Sequence, residues 1–356
     1  MAAKGEVPPD FSLDFGGLSL GDVKKREKPS KSPSANLKIV YFDVQSTGFS
    51  GGAEVIQLAA RYQDRSYSDY IMPKKEIPDE VTDLTGLFKW RSMMVNSYNN
   101  CEPVPAEDKQ TAVNNFFAFL KSVGEEVILV AHNCLHYDAP MLSGLMYEVD
   151  KVGDFKKLVF GFSEVLGLFR KKLKGRRDEK HGFKLEKLAG HFLHEKNKTL
   201  NSVVHVKWLQ GLVKHPRINI SDDELINHHI PAEGVVNEAT ERKWKYALRK
   251  DVELLKVTVS DTHGFVGLDN EIIDRFVGQG IGLHDLYSYW KHGGEDYVRM
   301  IITTPMEGQP DSVIAQNDQE EQMIMDNLAV VFKHGLQSIL AIAEIARDHP
   351  FVTEGL

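Results

Sequence analysis

The strongest constraint on the fold of this chain is a series of three β-rich segments that are separated by short connections. Residues 37–43 read Leu-Lys-Ile-Val-Tyr-Phe-Asp, residues 55–60 read Val-Ile-Gln-Leu-Ala-Ala, and residues 67–72 read Tyr-Ser-Asp-Tyr-Ile-Met. Each segment is rich in β-branched, aliphatic or aromatic residues, and turn-forming residues stand between them. Connections of this length favour hairpins, so the pattern predicts an antiparallel meander of three strands.

The pattern changes after the meander, because helical periodicity now alternates with a further strand. Residues 111–123 place their apolar side chains on one face of a predicted helix. The apolar run Val127–Ala131 predicts a buried strand, and residues 140–147 predict a second helix. Together these segments predict an α/β fold in which a mixed β-sheet is flanked by helices.

Local composition divides the chain into three parts. Residues 1–36 are rich in Ser, Pro, Gly and Lys without apolar periodicity, which predicts a disordered tail. We expect an α/β domain over residues 37–258 and a helical C-terminal region over residues 259–356. The spaced apolar residues of the tail and the C-terminal helices are candidate contacts for protein partners.

Overall composition limits the classes of protein to which the chain can belong. It has 356 residues, of which 42% are hydrophobic, and a formal net charge of −8. The sequence has no run of about 18 apolar residues, so it predicts no membrane-spanning helix. The N-terminus lacks the apolar segment of a secretory signal. The only cysteines, Cys101 and Cys134, exclude a disulfide framework and a cysteine-based zinc site. We expect an intracellular protein, nuclear or cytoplasmic, without a membrane partner.

Three acids follow or lie within the predicted elements and form the first candidate site. Asp43 ends the first strand, Asp138 follows the strand Val127–Ala131 by a short loop, and Asp251 lies in a probable helix. A single acid after a strand is usually a cap or turn residue. Carboxylates that converge from separate elements are instead suited to two divalent ions, which can stabilise the displacement at a phosphodiester.

The segment around the first acid resembles the DEDD superfamily of 3′→5′ exonucleases, which have a ribonuclease-H-like fold. The first motif of this superfamily is Asp-x-Glu-x-Thr-Gly, and residues 43–48 read Asp-Val-Gln-Ser-Thr-Gly. Residues 77–87 resemble the short helix that follows the third strand in these enzymes. Gln45 therefore stands where the superfamily has Glu, so one negative charge and one carboxylate oxygen are lost.

The other two motifs of the superfamily occur in the same order. The second motif is matched by His132, Asn133 and Asp138, and the third reads from Tyr246 to Asp251. Tyr246 stands where the branch of the superfamily with the three-prime repair exonucleases has His, and Tyr is a poor base at neutral pH. The strings at residues 182–189, 248–255 and 283–290 are most similar to the three-prime repair exonucleases and to the exonuclease-like C-terminal domain of promyelocytic leukaemia proteins.

The resemblance implies a mechanism with two Mg²⁺ or Mn²⁺ ions and assigns roles to the motif residues. Asp43 and Asp251 would hold the first ion, with Gln45 as a weak substitute ligand, and Asp138 would help to hold the second. Tyr246 would order the attacking water. Because two of these positions are altered, three functions stay open: a nucleic-acid-binding protein with a degraded site, an active 3′→5′ exonuclease, and a pseudonuclease scaffold for proteins.

Further residues are candidates for binding single-stranded DNA or RNA. Between residues 156 and 187 there are eleven basic side chains and four acidic ones, and a local basic patch attracts phosphate backbones. Arg176 and Arg177 lie in the part of this stretch that is predicted to be a loop. The resemblance also implies contacts with the terminal nucleotide, and the positions concerned are Thr47, Gly48, Phe49 (for stacking), Leu87 (as an apolar wedge) and Asn133.

Overall fold

A computed structural model describes residues 36–176, 182–195, 201–253, 268–305 and 313–333. The predicted tail, the proposed boundary at residue 258, Arg177 and the last 23 residues lie outside the described residues. Within them no helix is both long enough and apolar enough to cross a membrane.

The predicted meander forms the centre of a mixed β-sheet of seven strands. The strands of the described residues are β1 (Lys38–Ser46), β2 (Val55–Tyr62), β3 (Arg65–Ile71), β4 (Leu87–Trp90), β5 (Met93–Asn96), β6 (Glu102–Val104), β7 (Ala106–Glu107), β8 (Val127–Ala131), β9 (Val159–Glu164) and β10 (His229–Pro231). The large sheet has the order β10-β9-β8-β1-β2-β3-β7, and β4, β5 and β6 form a second sheet. Strand β1 is antiparallel to β2 and parallel to β8, so it lies at the middle of the sheet.

Helices cover both faces of the large sheet, as the sequence predicts. The helices in the described part of the chain are α1 (Asp79–Thr85), α2 (Lys109–Val123), α3 (Asp138–Glu148), α4 (Val152–Leu158), α5 (Val165–Lys172), α6 (Leu185–Phe192), α7 (Ser202–Lys214), α8 (Asp222–Asn227), α9 (Ala232–Val252), α10 (Asn270–Gln279), α11 (Leu283–Thr303) and α12 (Asp318–Lys333). The mixed sheet with flanking helices confirms the predicted α/β class.

The alternation of side chains along β1 decides which helices meet which face. Phe42 and Val44 join a core with α2, α3, α4 and the start of α9. Tyr41 points the other way and joins a core with α5, α6 and α7. A third core, which α10, α11 and α12 share with Val252 at the end of α9, accounts for the helical region near the C-terminus.

The second sheet is the main element that the sequence did not predict. Its three strands pack against the edge of the large sheet through a small core that contains Ile56, Val81, Leu87 and Met94. Strands of three or four residues with frequent turn residues between them carry too little periodicity to be recognised in advance.

Candidate functional site

Asp43 and Gln45 lie on the face of β1 that α7 covers. They are two and four residues after Tyr41, whose side chain packs in the core with α5, α6 and α7. Because side chains alternate along a strand, all three residues share one face. Helix α7 packs on β1 and β2, so the residues that approach Asp43 across this face come from α7.

The residue of α7 that reaches Asp43 is His205. Its Nδ1 lies 3.2 Å from Oδ1 of Asp43, and its side chain is almost wholly buried. The amide Nε2 of Gln45 donates to the other carboxylate oxygen, Oδ2, at 2.9 Å. Both oxygens of Asp43 therefore accept hydrogen bonds from side chains of the protein.

The charge of Asp43 controls the protonation of His205. Burial alone would lower the pKa of His205, but the charge of Asp43 and its hydrogen bond outweigh burial and raise this pKa above its usual value. Both the protonated imidazole and the neutral tautomer with its hydrogen on Nδ1 can donate to Asp43. The pair joins α7 to the central strand, and the raised pKa of His205 favours its charged form.

Asp138 lies close to the same pair, at the first position of α3. Its Oδ1 accepts a hydrogen bond from the backbone N–H of Val44 at 3.1 Å, and the side chain is buried. Burial, followed by the charge of Asp43, raises the pKa of Asp138 well above its usual range. Without a cation beside the two acids, this environment favours the neutral carboxyl of Asp138.

Tyr246 contacts the loop between β1 and β2. Its ring packs on Gly51 and Gly52, so that a methyl group on Gly51 would lie 3.0 Å from Cδ2 of the ring. Lys75 lies over the same ring, with its Nζ 5.8 Å from the centroid. Among the described residues Tyr246 makes no hydrogen bond to Asp43 or Asp138, and the side chain of Asp251 lies outside them.

The remaining residues of the first and second motifs shape the loops beside this cluster. Thr47 is buried, and its Oγ1 accepts the N–H of Glu54 at 3.0 Å. Gly48 follows with φ of 153°, and Phe49, which is 50% exposed, packs on Tyr137 with ring centroids 5.3 Å apart. Asn133 has the left-handed φ of 59°. Half of the Phe49 side chain is therefore exposed to solvent, and its ring packs against that of Tyr137.

Leu87 does not lie at the surface, and its prediction as an apolar wedge is wrong. It is 2% exposed and packs with Ile77, Val81 and Met94 under the second sheet. The physical reason is that Leu87 begins β4, where pairing with β5 turns its side chain toward the small core. The exposed aromatic residue of this strand is Trp90.

Arg176 also has a different setting from the one predicted. Its Nε donates to the carbonyl of Gly182 at 3.2 Å, and its guanidinium lies over the ring of Phe192. It therefore closes a loop, whereas exposed cations of the same stretch lie on α5, after it and on α6. These cations are Arg170, Lys171, Lys174, Lys184 and Lys187.

His132 connects this basic stretch to the acids. Its Nε2 lies 2.8 Å from the carbonyl oxygen of Phe183, next to the exposed Lys184. Burial lowers the pKa of His132, and Asp43 and His205 are among the charges that act on it. The segment that carries Lys184 and Lys187 thus begins beside the Asp43 cluster.

Among the described residues, which do not include the side chain of Asp251, the donor set around Asp43 does not form a site for two divalent cations. No group of three or more His, Cys, Asp or Glu side chains within the described ranges is arranged to hold a metal ion. Gln45 and His205 take the carboxylate oxygens of Asp43, and Asp138 favours its neutral form. Sequence reasoning missed His205 because no motif marks it, and its only signal is a histidine among the apolar residues of α7.

Comparisons with known proteins place the fold. The model of the Exuperantia RNase H-like domain matches residues 37–190, which run from β1 to α6. This match, together with the mixed sheet and its flanking helices, identifies a ribonuclease-H-like fold. The comparison with curated proteins gave no match.

Solved structures of exonuclease I are similar at low identity. An exonuclease I structure that suggests how processivity is achieved has 13% identity and a TM-score of 0.39. The match covers 88% of this chain and 74% of that chain. The zinc-bound complex of the Escherichia coli enzyme with single-stranded DNA has 11% identity and a TM-score of 0.39, over 86% and 72%. Apo exonuclease I has 11% identity and a TM-score of 0.35. The match covers 62% of this chain but only 46% of the length of that protein.

Proposed function

We propose that this chain is an exonuclease-fold protein that binds single-stranded nucleic acid and has lost metal-dependent hydrolysis. The observation that carries the proposal is the pair of hydrogen bonds on Asp43. Gln45 donates to one carboxylate oxygen and His205 to the other, so protein donors compete with a metal ion for this carboxylate. The imidazolium of His205 then balances the charge of Asp43 without a metal.

The surface beside the cluster supports nucleic-acid binding. Phe49 offers a half-exposed ring on which a base can stack without regard to sequence. Lys184 and Lys187 are exposed on the segment that His132 ties to the cluster, and they would contact phosphates. The narrower resemblance to three-prime repair exonucleases and promyelocytic leukaemia proteins favours the 3′ end of a DNA or RNA strand as the ligand.

An active 3′→5′ exonuclease is the second candidate. Asp43 and Asp138 remain near one another, since Val44 donates its N–H to Asp138 directly after Asp43 in the strand. To bind Mg²⁺ or Mn²⁺, Asp43 would have to release His205 or Gln45. A pseudonuclease scaffold for protein partners is the third, and it predicts no affinity for nucleic acid.

The experiment that separates these functions measures binding and degradation on the same oligonucleotides. Fluorescence anisotropy with 5′-labelled single-stranded DNA and RNA gives affinity, and denaturing gels with Mg²⁺ or Mn²⁺ give 3′-end degradation. We expect binding without degradation. The paired variant Lys184→Glu/Lys187→Glu should weaken binding and reduce the slope of log K against log salt by about 1.4, at roughly 0.7 for each phosphate contact.

A matched variant controls for the change in net charge. Lys121→Glu/Lys291→Glu replaces two exposed lysines on α2 and α11, outside the basic stretch, and should leave affinity and slope unchanged. Metal-dependent degradation that disappears in Asp43→Ala would refute the loss of hydrolysis. Absence of binding to any single strand would favour the scaffold instead.

A further inference from the structure

A second candidate site lies toward the other end of α7. Two adjoining cavities of about 270 and 400 Å³ share Gln63, Gln210 and Lys214 in their walls. Gln210 and Lys214 follow His205 by five and nine residues, or about 7.5 and 13.5 Å along the helix axis. We call the cavity of 270 Å³, which Lys38 and Tyr41 also line, the back cavity. It is thus separate from the Asp43 cluster.

The hydroxyl of Tyr41 is the first indication of a ligand. Tyr41 is only 3% exposed, yet it lines the back cavity. No described residue forms a hydrogen bond with its hydroxyl. Burial, followed by the charge of Asp222, raises the pKa of Tyr41, so the hydroxyl keeps its proton and can donate. The hydroxyl oxygen is not among the fully buried polar atoms that lack a partner, so it is open to the cavity and can donate to a ligand there.

The charges around the back cavity favour an anion. Lys38 and Lys214 both line it, and no carboxylate of the described residues lies within salt-bridge distance of either. Gln210 accepts a hydrogen bond from Arg61 through Oε1, which leaves its amide nitrogen as a donor. Asp222 is the one acid in the described lining. Two cations and two neutral donors against one carboxylate match the oxygens of a phosphate group.

The remaining walls add an apolar and aromatic surface. Tyr62 and Ile226 line the cavity beside these polar groups. An aromatic ring next to a phosphate site is suited to a nucleobase, which offers a π-face whatever its sequence. With the adjoining cavity the space falls in the range of ordinary small-ligand sites.

We propose that the back cavity binds a phosphate-bearing nucleotide, with Lys38 and Lys214 on the phosphate and Tyr41 donating to one of its oxygens. The nucleotide has two possible sources, a free mononucleotide or one unit of a single strand. Binding of a free mononucleotide is independent of the single-strand binding proposed above. Binding of one unit of a strand rests on that proposed function and extends it, because the strand would then contact both ends of α7.

Isothermal titration calorimetry on the full chain tests the proposal with four probes: uridine 5′-monophosphate, uridine, inorganic phosphate and a uridine octanucleotide. The variants are Lys214→Glu, Lys214→Arg and Tyr41→Phe, and Lys121→Glu is the matched control on α2. We expect Lys214→Glu to weaken binding about tenfold or more, since a charge-assisted hydrogen bond is lost. Lys214→Arg should retain most of the affinity, and Lys121→Glu all of it.

The probes separate the possible results. Binding of the monophosphate but not of uridine supports a free nucleotide, and binding of the octanucleotide alone with the same variant sensitivity supports a unit of a strand. Tyr41→Phe should weaken binding of the monophosphate or of the octanucleotide, and it should change the melting temperature only slightly. Lys184→Glu/Lys187→Glu should leave monophosphate binding intact, which keeps this test independent of the first.

Three results would overturn the proposal. The first is no binding of either the monophosphate or the octanucleotide. The second is equal affinity in the wild type, Lys214→Glu and Tyr41→Phe, because the ligand would then lie elsewhere. The third is inorganic phosphate that binds as tightly as the monophosphate, since the base would then contribute nothing.

Discussion

The imidazole Nδ1 of His205 lies 3.2 Å from Oδ1 of Asp43, which joins two residues 162 positions apart. His205 stands on α7 and Asp43 on the central strand, so the contact fixes the helix to the face of the sheet that carries the candidate site. Gln45 donates to the other oxygen of Asp43, so each carboxylate oxygen accepts one hydrogen bond from a side chain. The carboxylate of Asp43 is thus oriented both by α7 and by its own strand.

His205→Ala should reduce the free energy of unfolding by about 2–4 kcal/mol. Removing one partner of a buried ion pair leaves the other charge uncompensated, and Asp43 is only slightly exposed. Urea denaturation followed by tryptophan fluorescence measures the change. The double variant Asp43→Asn/His205→Ala should recover part of the loss, because no unpaired charge remains. If the two single changes were simply additive, the interaction between the residues would be negligible.

The variant Gln45→Glu/His205→Asp should restore a site for Mn²⁺. It places two further carboxylates beside Asp43, whose repulsion should lower the melting temperature in the presence of a chelator. Added Mn²⁺ should raise it again, since a ligand at about 100 times its Kd stabilises the folded state by roughly 2.7 kcal/mol. Differential scanning fluorimetry with and without Mn²⁺ measures both effects.

The control for this variant is Gln45→Glu/Tyr246→His, which instead changes the residue that the sequence motif indicates. Tyr246 packs on Gly51 and Gly52, so we expect no stabilisation by Mn²⁺ beyond that of Gln45→Glu alone. Equal stabilisation of the wild-type protein by Mn²⁺ would contradict the proposal that metal-dependent hydrolysis is lost.

Gly52→Ala should destabilise the protein by about 1–3 kcal/mol, as added atoms do in a filled space. A methyl group on Gly52 would overlap the phenol oxygen of Tyr246 and would lie 2.7 Å from Cε1 of its ring. In the Tyr246→Ala background the same change should cost much less. Gly153→Ala, where nothing lies within 4 Å, is the matched control and should be neutral or slightly stabilising. Equal effects in both backgrounds, measured by urea denaturation, would exclude the contact.

The parts of the fold that local pattern governs could be predicted from the sequence. The meander and the strand Val127–Ala131 were recognised because uninterrupted β-rich and apolar runs mark buried strands. The sequence does not reveal that Leu87 is buried, because an apolar residue after a short helix is compatible with both a surface wedge and a core position. Only its pairing in the second sheet distinguishes the two.

The composition of the candidate site could be predicted only in part. Asp43 and Asp138 stand in recognisable motifs, although β1 continues to Ser46 past Asp43, where the sequence predicts its end, and Asp138 begins α3. Their proximity follows from the parallel pairing of β1 and β8. His205 could not be found in this way, because its role depends on which face of β1 the helix α7 covers. That information lies in the packing of distant segments, which no local spacing records.

Stability at acid pH should depend on Glu54. This buried carboxylate accepts hydrogen bonds from the backbone N–H groups of Lys74 and Lys75 and from Nζ of Lys109 at 2.6 Å. Burial alone would raise the pKa of Glu54, but these donors outweigh it and lower the pKa below 4.5. A group whose pKa is lowered by folding stabilises the protein above its unfolded pKa and loses that contribution as pH falls through the folded pKa.

The corresponding measurement is the free energy of unfolding at a series of pH values below neutrality. We expect the wild type to lose stability more steeply than Glu54→Gln once the pH falls below 4.5. Glu76→Gln removes an exposed carboxylate nearby, and its curve should have the slope of the wild type. Parallel curves for the wild type and Glu54→Gln would show that the hydrogen bonds on Glu54 do not favour its charged form.

Phe49→Ala should weaken binding to single-stranded DNA or RNA about tenfold, because stacking of one base on an aromatic ring contributes roughly 1–3 kcal/mol. Phe49 is half-exposed and supported by Tyr137, so its ring is available to a base without rearrangement of the core. Fluorescence anisotropy at fixed salt measures the affinity, and Phe49→Tyr should retain it. Trp90→Ala removes an equally exposed aromatic ring from the second sheet and should change affinity less than twofold. A greater loss in Trp90→Ala than in Phe49→Ala would move the nucleic-acid surface away from the Asp43 cluster to the second sheet.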